Sequence, residues 1–83
     1  MVYQVKVEVS LKQGHSDPEG ETTAKSLREL KYQVETVKVG KVYRFNLSTG
    51  SLKEAKKQVD EICKRLLANP VKDNYNFVIE EVK

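Results

Sequence analysis

The chain opens with strict alternation: Tyr3, Val5, Val7, Val9 and Leu11 are apolar, and Gln4, Lys6, Glu8 and Ser10 between them are polar. A period of two over ten residues predicts a strand with one buried face. Lys12 to Asp17 breaks the pattern and predicts a loop. A helix is expected from Asp17-Pro18, because Asp accepts a hydrogen bond from a free first-turn N–H and Pro at the first helical position forfeits none. Ala24, Leu27 and Leu30 recur at helical spacing. The helix is expected to end near Lys31, where no glycine or proline marks a stop. Val34 to Leu47 alternates again on both sides of Gly40-Lys41 and predicts a hairpin. A three-residue or bulged turn there pairs Val39 with Tyr43 and Val37 with Phe45, which keeps the apolar residues on one face.

The second helix is the most clearly signalled element. Ser51-Leu52-Lys53-Glu54 reads as a capping box. Leu52, Ala55, Val59, Ile62 and Leu66 form an apolar stripe with Cys63 beside it, and Asn69-Pro70 ends the run. A last strand follows through Tyr75, Phe77 and Ile79 toward Val82. The order β-α-β-β-α-β predicts an α+β, two-layer, ferredoxin-like domain spanning residues 1–83, with a four-stranded antiparallel sheet and two helices on one face. The open face would carry charged and amide side chains together with Val2, Val42, Val78 and Val82. These four valines are candidates for contact between copies of the chain, since a small domain gains much from association.

With 83 residues, the chain makes one small domain and leaves no room for a deep, enclosed active site. Its single cysteine excludes an internal disulfide and a Cys-based zinc site. No apolar run reaches the length of a membrane span, and no secretory signal is visible, so a cytoplasmic protein with no membrane partner is expected. The net charge of +3 comes from fifteen basic and twelve acidic side chains spread evenly along the chain, not gathered in a basic arm. That pattern does not point to nucleic acid.

Candidate chemistry is sparse. His15 has only Asp17 nearby as a potential second metal ligand, so a surface histidine is expected. Cys63, on an apolar helix edge, reads as a small core residue. Glu80 and Glu81 alternate to opposite faces and do not make a working carboxylate pair. Phosphate-binding loops and nucleophile-elbow motifs are absent. Two alternatives share the expected fold. A small RNA-binding module would need Tyr43 and Phe45 on the open face, yet they share parity with the buried set. An acylphosphatase-type enzyme would need an arginine in the first loop, and residues 12–17 contain none. No catalytic, cofactor-binding or metal-binding residue is assigned.

The chain resembles the PurS family, the small subunits of phosphoribosylformylglycinamidine synthase. The matching segments are Val5-Lys6-Val7 to Ser10-Leu11-Lys12, Asp17-Pro18-Glu19-Gly20, Val37-Lys38-Val39-Gly40-Lys41, Cys63 through Val71, and Asp73-Asn74-Tyr75. Ser16 and Lys38 depart from the family's usual apolar residue and arginine. The resemblance implies a non-catalytic subunit of a glutamine amidotransferase-type ligase in de novo purine biosynthesis. Such a subunit bridges a glutaminase, PurQ, and a synthetase, PurL, and assists ammonia transfer between them. It binds no cofactor itself, while the complex uses ATP, Mg and glutamine, and family members self-associate as dimers or tetramers. Partner contacts are expected at Asp17, Pro18, Gly20, Gly40, Lys41, Asn69, Pro70 and Tyr75. Most of these are also ordinary cap, turn or stop residues.

Overall fold

The computed structural model describes residues 1–82. The first strand, β1 (Val2–Leu11), forms as the alternation requires: Tyr3, Val5, Val7 and Val9 are buried and the residues between them are exposed. It is the centre of a three-stranded antiparallel sheet, flanked by β2 (Lys41–Ser48) and β3 (Asp73–Glu81) in the order β2-β1-β3. The register sets Val5 opposite Phe45 and Ile79, and Val7 opposite Tyr43 and Phe77, so one face is continuously apolar.

Helix α2 (Leu52–Ile62) packs on that face, over β3 and β1. Ser51 Oγ accepts the Glu54 N–H at 3.2 Å, as the capping signal predicts. After Ile62 the helix widens into a π-helical turn, Cys63–Leu67, closed by the Ala68 N–H donating to the Cys63 carbonyl at 2.9 Å. The wide turn changes which residues come round to the sheet. Ala55, Val59, Cys63 and Ala68 are buried and Leu67 packs beside them, while Leu66, expected on the stripe, is 81% exposed.

Two expectations fail here, for one reason. The described residues form three strands, not four, and Gly40-Lys41 is not a turn. Residues 33–40 run without a bend straight into β2, so no hairpin forms and Val39 does not pair with Tyr43. An extended run from Val34 to Ser48 measures about 48 Å at ~3.4 Å per residue, close to the 51 Å length of the molecule. The second correction concerns the helices. Helix α1 (Pro18–Glu29) does not cover the sheet beside α2 but lies along residues 34–39, making an arm that projects from the sheet. The radius of gyration, 16.5 Å, compares with about 12 Å for a compact chain of this length. With one helix on the sheet, Tyr43, Phe45, Leu47, Phe77 and Ile79 are only half-buried.

Candidate functional site

At the root of the arm one side chain joins α1 to the strand beside it. Asp17 caps α1, its Oδ1 accepting the Gly20 N–H at 2.9 Å, and its Oδ2 accepts the Val39 N–H at 2.9 Å. These donors, Val39 foremost and then Gly20, hold the Asp17 carboxyl below its ordinary value, against a smaller opposing effect of burial. Gly20 is buried against the strand, where a Cβ would overlap the Val37 carbonyl. At the far end of α1, Arg28 donates to the carbonyls of Val34 and Glu35, both at 3.1 Å. Gly40 sits where the long strand passes the end of β1, and a Cβ there would come within 2.8 Å of the Val9 carbonyl. Gly40 therefore provides a close crossing.

The loop after β1, the start of α1, the Gly40 crossing and the beginning of β3 enclose an open cleft of about 600 Å³. Asp17, Pro18, Gly40 and Lys41 line it together. Gly20 lies behind them in the joint between α1 and the strand. Asn69 and Pro70 form a turn of their own beside the cleft. Asn69 Oδ1 accepts the Val71 N–H, the Asn69 N–H donates to Asp73 Oδ2, and Lys12 Nζ donates to the Pro70 carbonyl, each at 2.9 Å. Tyr75 is not brought to the cleft. It pairs with Val9 on the helix-facing side of the sheet, and its hydroxyl donates to Asp60 Oδ1 on α2 at 2.6 Å.

Lys72, Asp73 and His15 also line the cleft, and no pattern in the sequence singles out Lys72. Neither Lys41 nor Lys72 has a carboxylate within ion-pair distance among the described residues. The described residues contain no cluster of three His, Cys, Asp or Glu side chains able to hold a metal ion, and none of their helices is long and apolar enough to cross a membrane. Tyr43 and Phe45 pack against the core on the helix-facing side, which removes the stacking platform an RNA-binding module would need. The four valines of the open face do not form one patch. Val2 and Val82 are neighbours, joined by the Val82 N–H donating to the Val2 carbonyl at 2.9 Å. Val78 lies opposite Lys6 and Val42 opposite Glu8, and Lys6 and Glu8 pair with each other at 3.3 Å.

The chain is thus a small α+β domain with a protruding helix-and-strand arm and a cleft at the arm's root. The comparisons make this specific. The family described as PurS, phosphoribosylformylglycinamidine (FGAM) synthase, matches residues 4–81, and the chain belongs to it. It is 43% identical over 76 residues to the phosphoribosylformylglycinamidine synthase subunit PurS of Archaeoglobus fulgidus, covering 90% of this chain and 95% of that one. The Thermus thermophilus PurS structure superposes with a TM-score of 0.87 at 33% identity over the whole of both chains. A chain of the PurLQS structure from Thermotoga maritima gives a TM-score of 0.87 at 27% identity, over 96% of this chain and 99% of that one.

Proposed function

We propose that this chain is the assembly subunit of a phosphoribosylformylglycinamidine synthase, joining a PurQ glutaminase to a PurL synthetase and helping ammonia pass between their active sites. The observation that carries this reading is membership of the PurS family over residues 4–81. A member of that family has a counterpart in the Thermotoga PurLQS structure. The chemistry gives the subunit a task that needs no catalytic residue. Ammonia released by a glutaminase is a nucleophile only while unprotonated, so its transfer needs a path shielded from water. A rigid module at the junction of two active sites supplies walls for such a path.

In this reading the complex, acting in the cytoplasm, uses ATP, Mg and glutamine, and this chain binds none of them. Its contacts with the large subunits involve the cleft residues Asp17, Pro18, Gly40 and Lys41, with the Asn69-Pro70 turn beside them. The cleft sets Lys41 and Lys72 among the carboxylates of Asp17, Glu19 and Asp73, a lining that suits a partner surface of mixed charge. The chain self-associates as a dimer or a larger assembly.

Reconstitution tests the reading. Glutamine-dependent product formation by the two large subunits should require this chain, and turnover driven by ammonium salts should depend on it much less. Equal glutamine-dependent rates with and without the chain would refute it.

A further inference from the structure

We propose that the outer edge of β3 receives an added strand, an extended segment of one of the large subunits. That segment carries apolar side chains at alternate positions and a lysine or arginine set beside Glu80 and Glu81. The proposal names a contact surface for the subunit role stated above and rests on that reading.

Two hydrogen bonds fix the phase of the β1–β3 ladder. The Lys12 N–H donates to the Lys72 carbonyl at 2.6 Å, and the Val82 N–H donates to the Val2 carbonyl at 2.9 Å. Both join even-numbered partners. Even-numbered residues of β3 therefore turn their N–H and C=O to β1, and odd-numbered residues turn theirs outward. At the start of the strand the outward Asp73 N–H is already taken by the Asn69 carbonyl at 2.8 Å. Beyond it, the outward groups of Tyr75, Phe77, Ile79 and Glu81 have no backbone partner among the described residues.

A free edge is ordinarily blunted by a lysine, a proline or a bulge. Residues Asp73–Glu81 contain no lysine, arginine or proline, and they pair with β1 without a break in register. An edge of this kind takes an extended partner through main-chain hydrogen bonds, with side chains read at alternate positions.

The side chains select the occupant. On the helix-facing side Phe77 and Ile79 are only half-buried, so an added strand has apolar surface to cover there. The end of β3 presents Glu80 on the open face and Glu81 on the other. Neither has a cation within ion-pair distance among the described residues. Asp60, the carboxylate that α2 sets against this strand, is already held by Tyr75 and Lys64. A second copy fits poorly. Pairing β3 with β3 of another copy so that all four outward residues bond would centre on Val78. It would carry four glutamates into the seam with no cation from either strand. Pairing with the long strand of another copy would be head-to-tail and would leave a free edge at each end of a growing sheet. A basic segment of a different chain, apolar at alternate positions, satisfies the backbone, the apolar face and the two acids together.

Amide hydrogen exchange tests the edge, on the free chain and on the complex with both large subunits. In the free chain the outward amides of Tyr75, Phe77 and Ile79 should exchange at least about tenfold faster than those of Asn76 and Val78, which face β1. In the complex the outward amides should slow by at least about tenfold. The double substitution Glu80→Lys with Glu81→Lys tests the chemistry. It should weaken association with the large subunits by about tenfold, while continued protection of the Asn76 and Val78 amides shows that the sheet is intact. A complex that forms with the outward amides unprotected would overturn the proposal while leaving the subunit role standing. Protection already present in the free chain and lost on dilution would assign the edge to another copy and overturn it equally. Undiminished binding by the double variant would overturn the basic partner strand. Failure of the three chains to associate at all would refute the subunit reading and the proposal with it.

Discussion

The Asp17 carboxylate receives the Val39 N–H at 2.9 Å across 22 residues of sequence, while its other oxygen caps α1. One side chain thus sets both where the helix starts and where the strand lies beside it. Its carboxyl is held below the ordinary value of 3.8, first by Val39 and then by Gly20, with Lys38 adding a smaller favourable effect. For an acid whose folded value is lowered, the stabilisation is present above 3.8 and is lost as pH falls through the folded value. Asp17→Ala should accelerate exchange of the Val39 amide by about tenfold or more near neutral pH. The wild-type amide should lose its protection only in acid, below 3.8. Unchanged exchange in the variant would show that the contact does not hold the arm.

Gly20→Ala separates local helix preference from packing. In an isolated helix Ala is favoured over Gly by about 1 kcal/mol. Here the added Cβ meets the Val37 carbonyl, and overpacking of this kind costs about 1–3 kcal/mol. The variant should therefore be less stable in urea unfolding. A gain in stability would show that α1 does not rest on the strand.

Both Asp17 and Gly20 were legible as helix-start residues, but not as the joint of an arm, because that role depends on a strand 17 or more residues away. Alternation correctly placed Val37, Val39, Tyr43, Phe45 and Leu47 on one parity. It could not tell a hairpin from one continuous strand, since both arrangements preserve parity and Gly-Lys suits either. The second helix began where its cap indicated. Its apolar stripe was misread after Ile62 because helical spacing assumes 3.6 residues per turn, and the π turn takes more. In the site, Asp17, Pro18, Gly40 and Lys41 meet at one cleft. Tyr75 belongs to the core face, as its alternation with Asn76 already implied. Lys72, which no motif marks, reaches the cleft only through the fold.

The end of α1 was poorly marked because Lys31 stands where glycine usually does. The Tyr32 N–H donates to the Leu27 carbonyl and the Lys31 N–H to the Arg28 carbonyl, a Schellman closure, and Lys31 has φ of 76°. A side chain in the left-handed region carries a cost of about 1 kcal/mol. Lys31→Gly should therefore raise stability by up to about 1 kcal/mol in urea unfolding. A loss of stability would show that the lysine side chain contributes something that outweighs the strain.

Cys63 is fully buried under the π turn, and burial first, then the charge of Asp60, pushes its thiol up from the ordinary value of 9.0. A buried, protonated thiol is a poor nucleophile. At pH 8 it should react with a thiol reagent at least about a hundredfold more slowly than in the urea-unfolded chain, with a rate that follows opening of the fold. Rapid, stoichiometric labelling of the native chain would contradict the placement of the π turn.

Tyr75, Asp60 and Lys64 tie the last strand to the helix. The Tyr75 hydroxyl donates to Asp60 Oδ1 at 2.6 Å and Lys64 Nζ meets Asp60 Oδ2 at 2.9 Å. The tyrosine, then the lysine, lower the Asp60 carboxyl from 3.8. Asp60 in turn raises both Tyr75 from 10.0 and Lys64 from 10.5. The signs define a window. The Asp60 contribution is present above 3.8 and lost in acid, and the raised Tyr75 and Lys64 values give contributions that are full below about 10 and are lost in base. Tyr75→Phe removes the hydroxyl at little cost in volume and should lower stability by about 0.5–1 kcal/mol. Urea midpoints at pH 7 should differ between wild type and variant by that amount, and the difference should shrink at pH 3 and at pH 11. A difference that stays constant across all three would mean that ring packing, not the charged hydrogen bond, fastens β3 to α2.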